Sequence, residues 1–180
     1  ILSDFAHSIG KTYKEVMEDN DKMWNGLGRL RNEIKPEDAS EGEDMLTESD
    51  DPDVINLLVL VAYLNGSKTN SSLDRVERVY NKIHYATEED AIKTLRQAHM
   101  NQPLVLKYGS DLKKHFLSID GRAIPVEGGL RTAILSVVAA TELFNLEFDR
   151  QVGDVCRFFS KAAGAHVLKT PVAVTRAIEI

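Results

Sequence analysis

Residues 128–163 place two adjacent glycines directly ahead of one long apolar stripe. The stripe comprises Leu130, Ile134, Val137, Val138, Thr141, Phe144, Phe148, Val152, Val155, Phe159 and Ala162. Apart from the adjacent Val137 and Val138, successive members are three or four residues apart, so their side chains fall on one face of a 3.6-residue helix. An unbroken helix of this length spans roughly 50 Å at about 1.5 Å per residue, longer than a domain of this size is wide. The run is therefore expected to be a central spine, a bridge between two lobes, or two helices broken at Gly153.

The rest of the chain reads as helices around that spine. Ser3 or Asp4 can cap a first helix, with Phe5, Ile9, Tyr13, Val16 and Met17 on its apolar face and Trp24 as a continuation weakened by Gly26 and Gly28. Residues 36–53 carry dense like charge and little apolar surface, which predicts a solvated acidic loop. Asp51-Pro52 is a cap followed by a proline at the first helical position. Residues 54–64 are apolar nearly all round and predict a buried central helix. Leu73, Val76, Val79, Tyr80 and Ile83 mark another helix. Thr87-Glu88-Glu89-Asp90 resembles a capping box and opens one that ends before Pro103. Residues 104–108 are too short to assign. Ser110 or Asp111 opens a short helix through Leu112, Phe116 and Leu117. Asp120-Gly121 is a turn, residues 122–126 are extended, and Thr170-Pro171 starts a terminal helix.

Strand-period alternation is scarce, so the expected fold class is all-α: an irregular bundle of about six to eight helices around the long central helix. One helical domain over 1–180 is expected, with two lobes as the alternative. The first, 1–102, holds 12 Lys/Arg against 20 Asp/Glu, and the second, 103–180, holds 10 against 8. Nine of the acids lie within 37–53, and without them the net charge of −6 becomes +3. The chain is thus a mildly basic body carrying an acidic strap.

The sharpest candidate site is the cationic set around the double glycine. Gly128 and Gly129 expose amides at a helix N-terminus, and Arg131, Arg122, Lys113 and Lys114, with His115, could converge on a phosphate or carboxylate there. The competing reading is a flexible start to the spine with solvated cations around it, and Glu127 can itself occupy the dipole. The glycines lack the Lys-Ser/Thr of a P-loop and the strand–GxGxxG–helix setting. A second set, Arg75, Arg78 and Lys82, shares a helix face at spacings of three and four. It is a nucleic-acid candidate near Tyr80 and Tyr85, against a plain solvated face.

Other chemistry is not visible. The histidines, at 7, 84, 99, 115 and 166, form no HxxxH, HxH or HExxH pattern, so no metal site is expected, nor any cofactor. The single cysteine, Cys156, sits in the apolar stripe and is read as a buried structural thiol. No apolar run reaches the roughly 20 residues that cross a bilayer, and the first residues lack a basic region and apolar core, so the expected location is cytoplasmic, away from membranes.

The leading functional expectation is a non-catalytic protein acting through protein–protein contact or self-assembly. The alternatives are a coat- or nucleocapsid-type protein that packages RNA, and a phosphate- or nucleotide-handling enzyme at Gly128 and Gly129.

Overall fold

The computed structural model describes residues 1–33, 51–65, 76, 78–98, 102–111, 113–166 and 172–179. Its helices are α1 (Leu2–Ser8), α2 (Tyr13–Glu33), α3 (Pro52–Asn65), α4 (Glu88–Gln97), α5 (Gly129–Leu143), α6 (Gly153–Ala162) and α7 (Val172–Glu179). Its strands are β1 (Tyr80–Tyr85), β2 (Leu104–Tyr108), β3 (His115–Ile119) and β4 (Arg122–Val126). They form one sheet in the order β1-β2-β3-β4, so the chain is mixed α/β and the expected all-α bundle is wrong.

The sheet arises where helical reading failed. Strands β1 and β2 run parallel, which requires a crossover, and α4 supplies it. Strands β2, β3 and β4 then form an antiparallel meander. Leu104, Leu106 and Phe116 face α4, where they pack with Tyr85, Ala91, Ile92 and Leu95. Val105 and Leu117 face the opposite way, into the main core with Ile134 and Val138 of α5. The inner strands β2 and β3 are covered on both faces and so lack polar–apolar alternation, which hid them from a period-two search. The helix expected at 73–83 gives way to β1 from Tyr80, with Val76 helical and 73–75 and 77 outside the described residues, and that expected at 110–117 gives way to β3. The Asp120-Gly121 turn is as anticipated: both residues have left-handed φ, 48° and 71°, the geometry of a two-residue hairpin.

Strand β4 is a sheet edge with little to offer a further strand. The turn makes Ile119 and Arg122 the closing pair, so by alternation Ala123 and Pro125 point their backbone positions outward. Pro125 has no N–H, and the Ala123 N–H donates to Glu88 Oε1 of α4 at 3.1 Å.

The expected spine is two helices. Helix α5 ends at Leu143 and α6 starts at Gly153, so the break falls across residues 144–152 and Gly153 opens the second helix rather than interrupting the first. Asn145 takes φ 49°, closing α5. The Leu146 N–H donates to the Thr141 carbonyl at 2.9 Å and the Asn145 N–H to the Glu142 carbonyl at 3.2 Å, the paired pattern of a Schellman cap. Residues 130 and 132–141 of α5 are buried, and its core hydroxyls are satisfied locally: Ser136 and Thr141 each donate to the carbonyl four residues back at 2.8 Å. Cys156 is buried, as its phase in the stripe predicts.

The expected first helix is also two. Gly10, at φ 72°, ends α1, and Thr12 with Glu15 caps α2: the Glu15 N–H donates to Thr12 Oγ1 and the Thr12 N–H to Glu15 Oε2. Val16, Asn20, Trp24 and Leu27 form the buried face of α2, which runs through Gly26 and Gly28. Helix α3 is the buried apolar helix that residues 54–64 predict, with Asp51 Oδ1 accepting from the Asp53 N–H at 3.0 Å. Thr87 caps α4 by accepting from the Asp90 N–H. Residues 37–50 of the acidic strap, and Thr170-Pro171, lie outside the described residues.

Candidate functional site

The double glycine opens α5 as expected, with Gly128 as its N-cap at φ 96° and Gly129 at 78°. Both conformations favour glycine. Beside Gly128 the space is already filled: a Cβ there would lie 2.5 Å from Thr132 Oγ1, whose hydroxyl donates to the Gly128 carbonyl. The cations around this mouth divide. Lys113 and Lys114 precede β3, at the hairpin end where His115 pairs with Val126, and both are exposed. Lys114 lies 3.8 Å from Asp111. Arg122 closes the other end of the hairpin, four strand steps or roughly 13 Å away.

Arg131 has a structural partnership. Its Nε donates to Asp53 Oδ2 at 2.8 Å and its Nη1 to Asn25 Oδ1 at 3.2 Å, while the guanidinium lies 5.8 Å from the centre of the Trp24 ring. The hydrogen bond with Asp53 raises the Arg131 pKa further, so the charge is fixed. Arg131 thus ties α5 to α2 and α3. Asp53, Asn25 and Trp24 were missed as its partners because they lie far away in sequence and carry no local signal.

The nucleic-acid set does not share a helix face. Arg75 lies outside the described residues, and Lys82 belongs to β1. Arg78 precedes that strand and lies 3.8 Å from Asp149.

His115 is buried, 6% exposed, against Tyr80, and among the described residues neither ring nitrogen has a partner in hydrogen-bond geometry. Desolvation, then the Lys107 ammonium, lowers its pKa, and Asp51 and the Lys113 backbone offset this only in part. Burial pushes the Cys156 thiol up to about 12, which leaves it protonated and inert. Among the described residues no three His, Cys, Asp or Glu gather as a metal site, and no helix is long and apolar enough to cross a membrane.

Two surface features stand apart from this internal wiring. At the end of α5, Phe144 is 56% exposed and Leu146 42% exposed, although the apolar stripe assigns Phe144 to the core. In a Schellman cap the apolar residue after the left-handed position commonly packs back on the helix, yet Leu146 is left about half-exposed. Glu142 and Glu147 flank this turn and are exposed. The second feature is a groove of about 300 Å³ between α2, α6 and α7. Buried Leu27 and Phe158 form its floor, Met23, Ala162 and Ile178 contribute apolar walls, and at its rim Lys22 is paired with Asp19 while Arg29 adds positive charge. Asn145 is the sequence signal that could have found the turn, since asparagine tolerates left-handed φ in mid-stripe.

The fold defines a class, a mixed four-stranded α/β sheet covered by a crossover helix on one face and a helical layer on the other. No protein family, characterised protein or solved structure matches the chain.

Proposed function

We propose that this chain is a non-catalytic interaction module that works in the cytoplasm by contact between proteins, and that it self-associates. The observation that supports this reading is the 144–146 turn. Two large apolar side chains project from a backbone held by three hydrogen bonds, from Phe144 to Ala140, Asn145 to Glu142 and Leu146 to Thr141. The element is therefore rigid before it meets a partner, which lowers the ordering cost of association.

The magnitude indicates a weak contact. Fully burying a Phe or Leu side chain is worth about 1.5–3 kcal/mol, so two half-exposed ones contribute roughly 2–3 kcal/mol together. Association costs at least about 4 kcal/mol in lost freedom, so the turn needs a complementary surface to bind at all. Concentration-dependent association in the micromolar-to-millimolar range is expected.

Sedimentation equilibrium across that range tests the reading. Wild type should gain mass with concentration, and the double variant Phe144→Ser, Leu146→Ser should stay monomeric with its circular dichroism unchanged. A wild type that remains monomeric throughout sinks the proposal.

A further inference from the structure

We infer that the groove between α2, α6 and α7 is the receptor for the 144–146 turn of a second copy of this chain, in a head-to-tail contact. This rests on the reading of that turn as the protein-contact element, and it adds the identity of the surface that receives it.

Three observations lead there. The first is placement. The Ser160 hydroxyl of α6 donates to Glu142 Oε1 at 2.9 Å, which puts the Ser160 face of α6 beside the turn. Phe158 and Ala162, two residues to either side, line the groove. At about 100° per residue, two steps carry a side chain about 160° around the helix from Ser160. The turn and the groove of one copy therefore look away from each other across α6, so a turn entering the groove comes from another molecule.

The second is charge. Glu142 and Glu147 flank the apolar turn, while Asp19, Lys22 and Arg29 border the apolar groove; Lys22 lies 3.5 Å from Asp19, which leaves Arg29 as the cation at the groove with no ion pair among the described residues. An apolar turn with acidic flanks thus faces an apolar groove whose rim is net positive through Arg29, which favours this pairing over turn-to-turn contact.

The third is Gly26. It lies inside α2 and lines the groove, and a Cβ built on it would have no heavy atom within 4 Å. Glycine in a helix interior is unfavourable relative to alanine, and nothing among the described residues of one copy requires the missing side chain. A partner approaching the backbone closely does require it. The groove volume lies at the lower limit for ligand pockets, which suits one or two inserted side chains.

A contact between two different surfaces of the same molecule does not close on itself unless the rotation happens to form a ring. Each added copy leaves one free turn and one free groove, so assembly continues beyond the dimer. The flanking charges are exposed, so added salt weakens it.

Sedimentation velocity with a turn variant, Leu146→Glu, and two groove variants, Gly26→Leu and Arg29→Glu, tests the pairing. Each variant alone should associate at least tenfold more weakly than wild type. Thermal melts should stay at or above wild type for Gly26→Leu, because leucine favours helix, and near wild type for exposed Arg29→Glu. A mixture of Leu146→Glu with Gly26→Leu should restore a dimer and stop there, since the pair retains one intact turn and one intact groove. If Gly26→Leu fails to fold, Arg29→Glu takes its place in the mixture. Groove variants that associate like wild type overturn the inference while the turn remains a contact element. A mixture that stays monomeric overturns it as well. Wild type without any association removes the underlying reading instead.

Discussion

Replacing Arg131 with methionine keeps the aliphatic reach and removes the guanidinium, and it should unfold the chain more readily by about 2–3 kcal/mol. The side chains of Arg131 and Asp53 are 30% and 19% exposed, so the pair is mostly but not wholly out of water. A charge-assisted hydrogen bond of this kind is worth about 1.5–3 kcal/mol, and the second bond, to Asn25, about 1 kcal/mol. The Trp24 ring adds about 0.5 kcal/mol at the partly exposed end of the cation–π range. These terms overlap in one network and sum incompletely, and partial exposure lowers the first. Among the described residues Asp53 Oδ1 already lacks a partner, so removing Arg131 takes from the carboxylate its described ion-pair partner. Urea denaturation followed by fluorescence of Trp24, the sole tryptophan, reads the change directly. At about 2–4 °C per kcal/mol for a chain of this length, the melting temperature should drop by roughly 4–12 °C. Coupling with Asp53→Asn in a double-mutant cycle should exceed about 1 kcal/mol. A loss below about 0.5 kcal/mol, with no coupling, would refute the clamp and return Arg131 to the pool of free cations at the α5 N-terminus.

Three further expectations follow from the described geometry. Gly128→Ala should cost about 2 kcal/mol and Gly129→Ala about 1 kcal/mol in urea denaturation, since both strain a left-handed backbone but only the first also meets Thr132; equal costs would show that Thr132 gives way freely. His115 has a folded pKa below its unfolded value, so the unfolded chain binds the extra proton. Stability should be full above about pH 6.5, fall as pH drops through that value toward the lower folded pKa, and level off beneath it; His115→Leu should flatten this part of the profile, and an unchanged slope would remove His115 as its source. Cys156 should resist Ellman's reagent at about pH 8 in the native state and react fully on denaturation, because its thiol titrates near 12; rapid native labelling would contradict its burial.

Local signals were legible where a short stretch of sequence settles its own geometry. Asp51-Pro52 with the apolar run behind it gives α3, Thr87 with Asp90 gives the start of α4, and Asp120-Gly121 gives the hairpin turn. The sheet was not legible, because its strands are five or six residues long and the inner two, β2 and β3, are covered on both faces. Phe116 and Leu117 are adjacent and point into different cores, so neither helix nor strand period shows. In β1, Tyr80 and Tyr85 likewise serve opposite faces, and Ile83, which completes a helical phase with Val76 and Val79, is exposed. The break after α5 was hidden because Phe144 keeps the stripe in phase, while Asn145 ends the helix. Of the candidate cations, the sequence located the mouth of α5 correctly but could not show that Arg131 reaches Asp53, 78 residues away, and Asn25, 106 away. The groove was illegible for the same reason, since α2, α6 and α7 meet only in the folded chain.

A disulfide between copies tests the central claim, that the 144–146 turn of one molecule enters the groove of the next. Leu146→Cys and Gly26→Cys variants, prepared separately and mixed under mild oxidation, place one thiol on each surface, and buried Cys156 stays out of the exchange. The predicted result is a covalent dimer containing one copy of each variant, formed well ahead of dimers in either variant alone. Cross-linking of the mixture no faster than a control pairing of Leu146→Cys with Lys93→Cys, at an exposed position of α4, would contradict it.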